Sequence, residues 1–109
     1  FIDPTINNIA LSKKIGVNCV ELHTGNYCNL FNKRKNTQNA FLKLKFASDY
    51  ANKIGLEVHA GHGLTYKTTQ SIVKISKISE FNIGHFVIAE SLHYGLRKVI
   101  KKFKKIINN

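Results

Sequence analysis

The sequence predicts an α/β fold in which four parallel strands alternate with four helices, as in half of an eight-stranded barrel or in a small open sheet. The first observation is that short apolar strand patterns alternate with longer helical patterns, joined by short loops. The second is that ionisable side chains and glycines follow the strands, at the edge where barrels and open sheets both bind ligands. The 109 residues suffice for one domain with a modest core.

The chain opens on a predicted strand end at Phe1–Asp3, which leads into the first helix. The segment Asp3-Pro4-Thr5 is typical of a helix start, because Asp and Thr cap helices and Pro is tolerated in the first turn. Apolar residues then recur at helical spacing from Ile6 to Ile15, and Gly16 is the expected stop.

The second predicted strand, Val17–His23, sorts its side chains by alternation. Val20 and Leu22 point towards the covering helices. The opposite face carries Cys19, Glu21 and His23. Two ionisable groups at the C-terminal end of one face are unusual for a packed core, so Glu21 is a candidate site residue. The alternatives are a Glu21 carboxylate salt-bridged inside the sheet, and a His23 that orients its neighbour or caps the loop at 24–26.

Residues 26–37 are polar and basic, which predicts a solvated loop or short helix without a chemical role. A clear amphipathic helix follows and ends at Gly55. Its apolar stripe consists of Ala40, Phe41, Leu44, Ala47, Ala51 and Ile54.

The stretch Glu57–Leu64 begins as a strand and ends as a glycine-flanked loop. Apolar and polar residues alternate in the third predicted strand, Leu56–Ala60. Gly61 and Gly63 allow turns that other residues resist. A histidine between two glycines is better suited to meeting a ligand than to core packing, so His62 is a candidate functional residue. The alternative is an ordinary loop histidine.

The remaining chain is predicted as a loop, a short helical stretch, a connection, a fourth strand and a final helix. Their ranges are 65–69, Gln70–Ile75, 76–80, Asn82–Ala89 and 92–107. Gly84, before the apolar run of the strand, allows close backbone approach. The final helix is rich in lysine, as membrane-surface helices are, but such helices more often cover a sheet. We therefore predict no membrane partner.

The formal net charge of +11 arises from 17 Lys and Arg against 6 Asp and Glu. Such an excess occurs in proteins that bind nucleic acid or anionic membranes. Nearly all the basic residues are lysines, Asn and Ile are also abundant, and no arginine-rich or aromatic-interleaved cluster accompanies the charge. The composition indicates codon bias in an AT-rich genome, and no nucleic-acid partner is predicted.

The two cysteines, Cys19 and Cys28, have neither the density of a disulfide framework nor a CxxC spacing. No apolar run approaches the roughly 18 residues of a membrane span, and no signal peptide is visible. A reducing, cytoplasmic setting is the simplest interpretation. Because the sequence has no methionine and opens on a strand end, we expect it to be the C-terminal piece of a longer protein.

The candidate site residues suit acid–base chemistry on a phosphorylated substrate. Glu21 and His62 are types that exchange protons near neutral pH. Glycine-rich loops around Gly63 and Gly84-His85 suit a phosphate, because exposed backbone N–H groups can cradle it. Suitable metal-ligand types are present, namely Glu21, His23, His62 and His85. They lack a local motif such as HExxH, so no metal site is predicted.

Three motifs carry a resemblance to a known family. Val20–Gly25 (VELHTG), Leu56–Leu64 (LEVHAGHGL) and Asn82–His85 (NIGH), followed by Ile88-Ala89 and Gly95-Leu96, closely resemble the pyridoxine 5′-phosphate synthases. Members of that family close the pyridine ring in one route to vitamin B6. The motifs occur in the right order and spacing, and the resemblance covers essentially the whole chain.

The resemblance implies the C-terminal half of a TIM (β/α)8 barrel, with residues 1–109 forming roughly strands 5 to 8 and their helices. It implies a homo-octamer that uses no metal and no organic cofactor. The implied partners are two phosphorylated small molecules, 3-amino-2-oxopropyl phosphate and 1-deoxy-D-xylulose 5-phosphate. Their condensation gives pyridoxine 5′-phosphate, phosphate and water.

Residue by residue, the motifs imply that His62 is the catalytic proton donor and that Glu21 stabilises charged transition states and intermediates. Gly63 and the Gly84-His85 pair would hold the amino-ketone phosphate, largely through backbone N–H groups. One departure is His59, where the family more often has asparagine; it either adds a titrating group or replaces a hydrogen-bond partner.

A second departure is that the family's N-terminal half, with its own catalytic histidine and glutamate and its arginine and asparagine contacts, has no counterpart in this sequence. The chain alone is therefore predicted to be inactive. Two alternatives stay open at this point. One is a phosphate-binding half-barrel from another biosynthetic route, and the other is a basic nucleic-acid-binding module.

Overall fold

The computed structural model, which describes residues 1–109, contains three parallel strands and six helices. In chain order they are α1 (Ile6–Lys14), β1 (Cys19–His23), α2 (Gly25–Asn32), α3 (Gln38–Lys53), β2 (Glu57–Gly61), α4 (Tyr66–Ile72), β3 (Ile78–Asn82), α5 (His85–Tyr94) and α6 (Leu96–Ile107). The predicted α/β class, with parallel strands alternating with helices, is confirmed.

The strands form one sheet in the order β1-β2-β3, and all pairs are parallel. The strand end predicted at Phe1–Asp3 is present as a single parallel bridge between Ile2 and Leu22. The Ile2 carbonyl accepts a hydrogen bond from the His23 N–H at 2.9 Å, and the Ile2 N–H donates to the Glu21 carbonyl at 2.9 Å. The first segment therefore lies beside β1, and β3 forms the opposite edge.

One face of the sheet is buried against the helices. Val20, Leu22, Val58 and Ala60 are at most 4% exposed and pack in one core with residues of α1, α3 and α4. Each large apolar side chain buried in this way stabilises the fold by about 1.5–3 kcal/mol. The alternation predicted for β1 and β2 is confirmed, and the residues of the other face are half-buried or exposed except for the buried Gly61.

The helix boundaries agree with the predicted signals in the first half of the chain. The Thr5 hydroxyl accepts a hydrogen bond from the Asn8 N–H at 3.2 Å and caps α1. Gly16 and Gly55 follow the ends of α1 and α3 with φ of +92° and +86°, a conformation that favours glycine. The polar segment 26–37, predicted as a loop or short helix, contains most of α2.

The strand predicted over Asn82–Ala89 is wrong. The strand is Ile78–Asn82, which begins inside the predicted connection at 76–80 and ends at the first residue of the predicted strand, and the apolar run lies in α5. A short apolar run does not distinguish a buried strand from a helix segment by periodicity alone. The single final helix is also wrong, because Gly95, with φ of +82°, separates α5 from α6.

The loop predicted at 65–69 is wrong as well, because α4 begins at Tyr66 and ends at Ile72. Thr65 and Thr68 form a reciprocal capping box at its start, a signal that requires reading two threonines three residues apart. None of the six helices combines the length and apolar character that crossing a membrane requires.

Candidate active site

A cleft of about 550 Å³ lies where the carboxyl ends of the three strands meet. The parallel register pairs His23 with Gly61 and Gly61 with Asn82, so the loops that follow the strands emerge side by side. The cleft lining includes every site residue predicted from the sequence. These are Glu21, His62, Gly63, Gly84 and His85. The structure therefore brings together residues that are up to 64 positions apart (85 − 21 = 64).

Glu21 projects from the open face of β1 into the cleft. No lysine, arginine or histidine side chain pairs with its carboxylate. The interpretation of Glu21 as an internal salt-bridge partner is therefore not supported. Its Oε1 atom lies directly over the Cα of Gly61, in space that a Cβ at that position would occupy.

His62 is exposed at the rim of the cleft and has an unusual backbone conformation. Its φ is +84°, one of two positive values among the non-glycine residues. Its ring lies 4.5 Å from the ring of His23, centroid to centroid, and 6.2 Å from the ring of Phe1. The imidazole is thus packed on one side by aromatic rings and remains accessible to a ligand.

His23 orders the loop after β1. Its Nδ1 atom accepts a hydrogen bond from the Gly25 N–H at 2.9 Å, which matches the sequence-based interpretation of His23 as a loop cap. Gly25 lies so close that a Cβ there would collide with the His23 ring and come within 3.0 Å of Cδ2 of His62. A side chain at Gly25 would therefore displace both imidazoles.

The two helices that begin at the cleft differ at their N-termini. The Thr65 hydroxyl accepts from the Thr68 N–H at 3.3 Å, and the Thr68 hydroxyl accepts from the Thr65 N–H at 2.8 Å, which closes the start of α4. By contrast, Gly84 provides no side-chain cap to α5, and no atom beyond its two chain neighbours lies within 4 Å of where its Cβ would be. The first N–H groups of α5 lack partners inside the helix and lie beside open space.

His59 lies outside the cleft lining, at the middle of β2. Its Nε2 is 2.8 Å from Oε1 of Glu57, and its Nδ1 is 3.5 Å from Oε1 of Glu80 on β3. The hydrogen bond and the charge of His59 hold the pKa of Glu57 below its ordinary value of 4.5. His59 therefore links two carboxylates on the open sheet face, away from the predicted chemistry.

The cysteines do not have the features of nucleophiles. Cys28 is buried beneath Gly63, and burial raises the pKa of its thiol. Burial and nearby carboxylates also raise the pKa of Cys19. Both are free thiols. The histidine, cysteine and acidic side chains nowhere form a group of three that could hold a metal ion, and the prediction that no metal is used stays a prediction.

The cleft and its surroundings also contain residues to which the sequence assigned no role. Phe1, Thr65 and Asn82 line the cleft, and Thr24 lies directly behind the His62 loop. Asn82 stands in the NIGH motif and was predicted to begin a strand, whereas it is the last residue of β3 and therefore lies at the cleft. The position of Thr65 could have been predicted from a local sequence pattern, because Thr65 and Thr68 form a capping box at the start of α4. The contact of Thr24 with His62 joins residues 38 positions apart, and no local sequence pattern indicates it.

Comparison with known proteins gives a family match over the whole chain. The family described as "Pyridoxal phosphate biosynthesis protein PdxJ" matches residues 1–109. Three similar proteins carry the name pyridoxine 5′-phosphate synthase. They come from Pelagibacter ubique (53% identical over 108 residues), Sulfurihydrogenibium sp. (44% over 109) and Ehrlichia canis (44% over 107).

These alignments cover 98% to 100% of this chain but only 43% to 45% of each relative. The chain thus spans a little under half the length of the curated relatives it matches.

Proposed function

The chain belongs to the PdxJ family of pyridoxal phosphate biosynthesis proteins, and on this premise we propose that it supplies part of the active site of a pyridoxine 5′-phosphate synthase. The reaction is the condensation of 3-amino-2-oxopropyl phosphate with 1-deoxy-D-xylulose 5-phosphate. The observation that carries the proposal is the convergence of all five predicted site residues on one cleft.

His62 and Glu21 are the proposed acid–base and electrostatic groups. Condensation of an amine with a ketone loses water, and the later steps eliminate phosphate and close the ring, so protons must move at each stage. His62 is accessible at the cleft rim and donates a proton to the departing oxygen. Glu21 has no cationic partner in this chain, so its carboxylate is available to stabilise positive charge on the iminium intermediates.

The start of α5 is the proposed phosphate site. Its N-terminus lies in the cleft lining, has no side-chain cap, and borders open space at Gly84. Backbone N–H groups at such an end attract anions. Gly63 supplies a further N–H from the neighbouring loop, where φ of +80° and the closeness of Cys28 disfavour a side chain. A phosphate held here orients the substrate towards His62.

The wider architecture is proposed on the same basis. Parallel strands with a ligand cleft at their carboxyl ends are consistent with the C-terminal half of a TIM barrel, which residues 1–109 would form. Family membership supports phosphorylated small molecules as the substrates and, as expectations, a homo-octameric assembly and a cytoplasmic location.

The test is the His62→Ala variant of the full-length protein, completed if necessary with the remainder of the Pelagibacter ubique relative. Loss of a general acid lowers kcat by about 100- to 10,000-fold. His93→Ala is the matched control, because His93 is exposed on α5 outside the cleft and should leave kcat unchanged. Product formation is followed as pyridoxine 5′-phosphate. An unchanged kcat in His62→Ala would remove His62 from the proposed role.

A further inference from the structure

We propose that Thr24 is a positioning residue that holds His62 in its catalytic orientation through the backbone. The inference rests on the proposed role of His62. Thr24 follows β1, is fully buried, and lies behind the loop that carries His62. Neither the sequence motifs nor the cleft lining assigns it a role.

The Thr24 hydroxyl lies between two consecutive carbonyl groups. Its Oγ1 is 2.8 Å from the carbonyl oxygen of Gly61 and 2.7 Å from that of His62, and it donates its single hydrogen to this pair. The Thr24 N–H also donates to the Gly61 carbonyl at 2.8 Å. Successive carbonyls of an extended strand point in opposite directions, so both can reach one hydroxyl only where the strand turns.

That turn is made at His62 itself. Its φ of +84° lies in the left-handed region, which side-chain-bearing residues rarely adopt, and Gly63 follows with φ of +80°. Such a conformation persists only when the surroundings hold it. The Thr24 hydroxyl is the one side chain that hydrogen-bonds the His62 backbone, so it is the group that favours this conformation.

Thr24 is itself firmly anchored. Its carbonyl accepts a hydrogen bond from the Cys28 N–H at 3.0 Å, at the start of α2. Its side chain is fully buried, so bulk water cannot readily take the place of the hydroxyl. Thr24 therefore fixes the His62 loop relative to β1, which also carries Glu21. Misplacing a catalytic group by about 1 Å can cost about 100-fold in rate.

The test compares Thr24→Val with Thr24→Ser in the full-length protein. Valine keeps the shape and removes the hydroxyl, whereas serine keeps the hydroxyl. We expect Thr24→Val to lower kcat by about 10- to 100-fold with KM changed less than about threefold, because the N–H groups of α5 still hold the phosphate and only the Gly63 N–H moves with the loop. Thr24→Ser should retain kcat within about threefold of the unsubstituted protein, a rescue that a purely space-filling role would not produce.

Equal kcat values for the Val and Ser variants would overturn the proposal. If Thr24→Val does not fold, Thr24→Ala replaces it in the same comparison with Thr24→Ser. If neither the Val nor the Ala variant folds, Thr24 is a residue of structural stability, and the proposal is overturned. Absence of pyridoxine 5′-phosphate formation by the unsubstituted protein would instead contradict the proposed function, so the two failures are distinguishable.

Discussion

At the scale of single residues, Gly61 provides the space that the Glu21 carboxylate occupies. A Cβ at this position would collide with Oε1 of Glu21 and lie 2.9 Å from the carbonyl oxygen of Asn82 on β3. We therefore predict that Gly61→Ala in the full-length protein displaces the carboxylate and lowers kcat by about 10- to 100-fold.

A double-mutant cycle separates this displacement from a general distortion of the strand. In a Glu21→Ala background there is no carboxylate to displace, so Gly61→Ala should reduce the remaining kcat by less than about threefold. The same fractional loss in both backgrounds would mean that strain against Asn82, rather than the position of Glu21, determines the effect.

The Glu57–His59 pair makes a prediction about pH. His59 is the main cause of the lowered pKa of Glu57, so His59→Asn should raise that pKa towards 4.5 in an NMR titration of the carboxyl carbon. Because the folded-state pKa lies below the unfolded value, the pair stabilises the fold fully above about pH 4.5. That stabilisation is lost as the pH falls through the lowered pKa.

Ser79→Ala is the matched control for this titration. The Ser79 hydroxyl donates a hydrogen bond to Glu57 at 3.4 Å, and this bond is the weakest of the effects that lower the pKa of Glu57. It should move the Glu57 pKa less than His59→Asn does. A Glu57 titration that is identical in the unsubstituted protein and in His59→Asn would contradict the pairing.

At the scale of elements, the strands that are buried on one face only were predicted correctly from the sequence. β1 and β2 alternate because one face packs on α1 and α3 while the other stays open, and alternation is visible in the sequence. The edge strand β3 has a weaker signal, since both Ser79 and Glu80 are exposed. Most of β3 was therefore predicted as a connection between elements.

The apolar residues of α5 led to the opposite error, because a helix was predicted as a strand. Only Val87 in this helix is buried, whereas Ile88 and Leu92 are 62% and 83% exposed, so its apolar residues do not follow one stripe. A helix that is apolar on several sides resembles a buried strand in sequence. The motif Gly84-His85 was nevertheless identified, because its recognition depended on residue identity and order rather than on the secondary structure around it.

At the scale of the whole molecule, charge is distributed very unevenly. The chain carries a net charge of +11, yet the three strands contain no lysine or arginine. The open sheet face instead carries Glu21, Glu57 and Glu80, half of the six acidic residues. In a closed barrel this face would point inward. The positive charge therefore lies outside the proposed active site, which agrees with its interpretation as a property of the solvated surface.

The incomplete enclosure of the cleft leads to a final prediction. The open sheet face leaves Glu57 60% exposed at its side chain, and β3 has an unpaired edge, so the 109 residues alone leave one side of the sheet to solvent. Catalysis by preorganised charges depends on excluding water. We expect the purified chain alone to form no pyridoxine 5′-phosphate from the two proposed substrates.

Co-expression with the remainder of the Pelagibacter ubique relative should generate activity, because the two pieces together would enclose the cleft and pair the edge of β3. His62→Ala in this chain should then abolish the recovered turnover, whereas His93→Ala should not. Turnover by the purified chain alone would mean that these residues suffice for ring closure. Recovered turnover that survives His62→Ala would place the essential proton donor elsewhere.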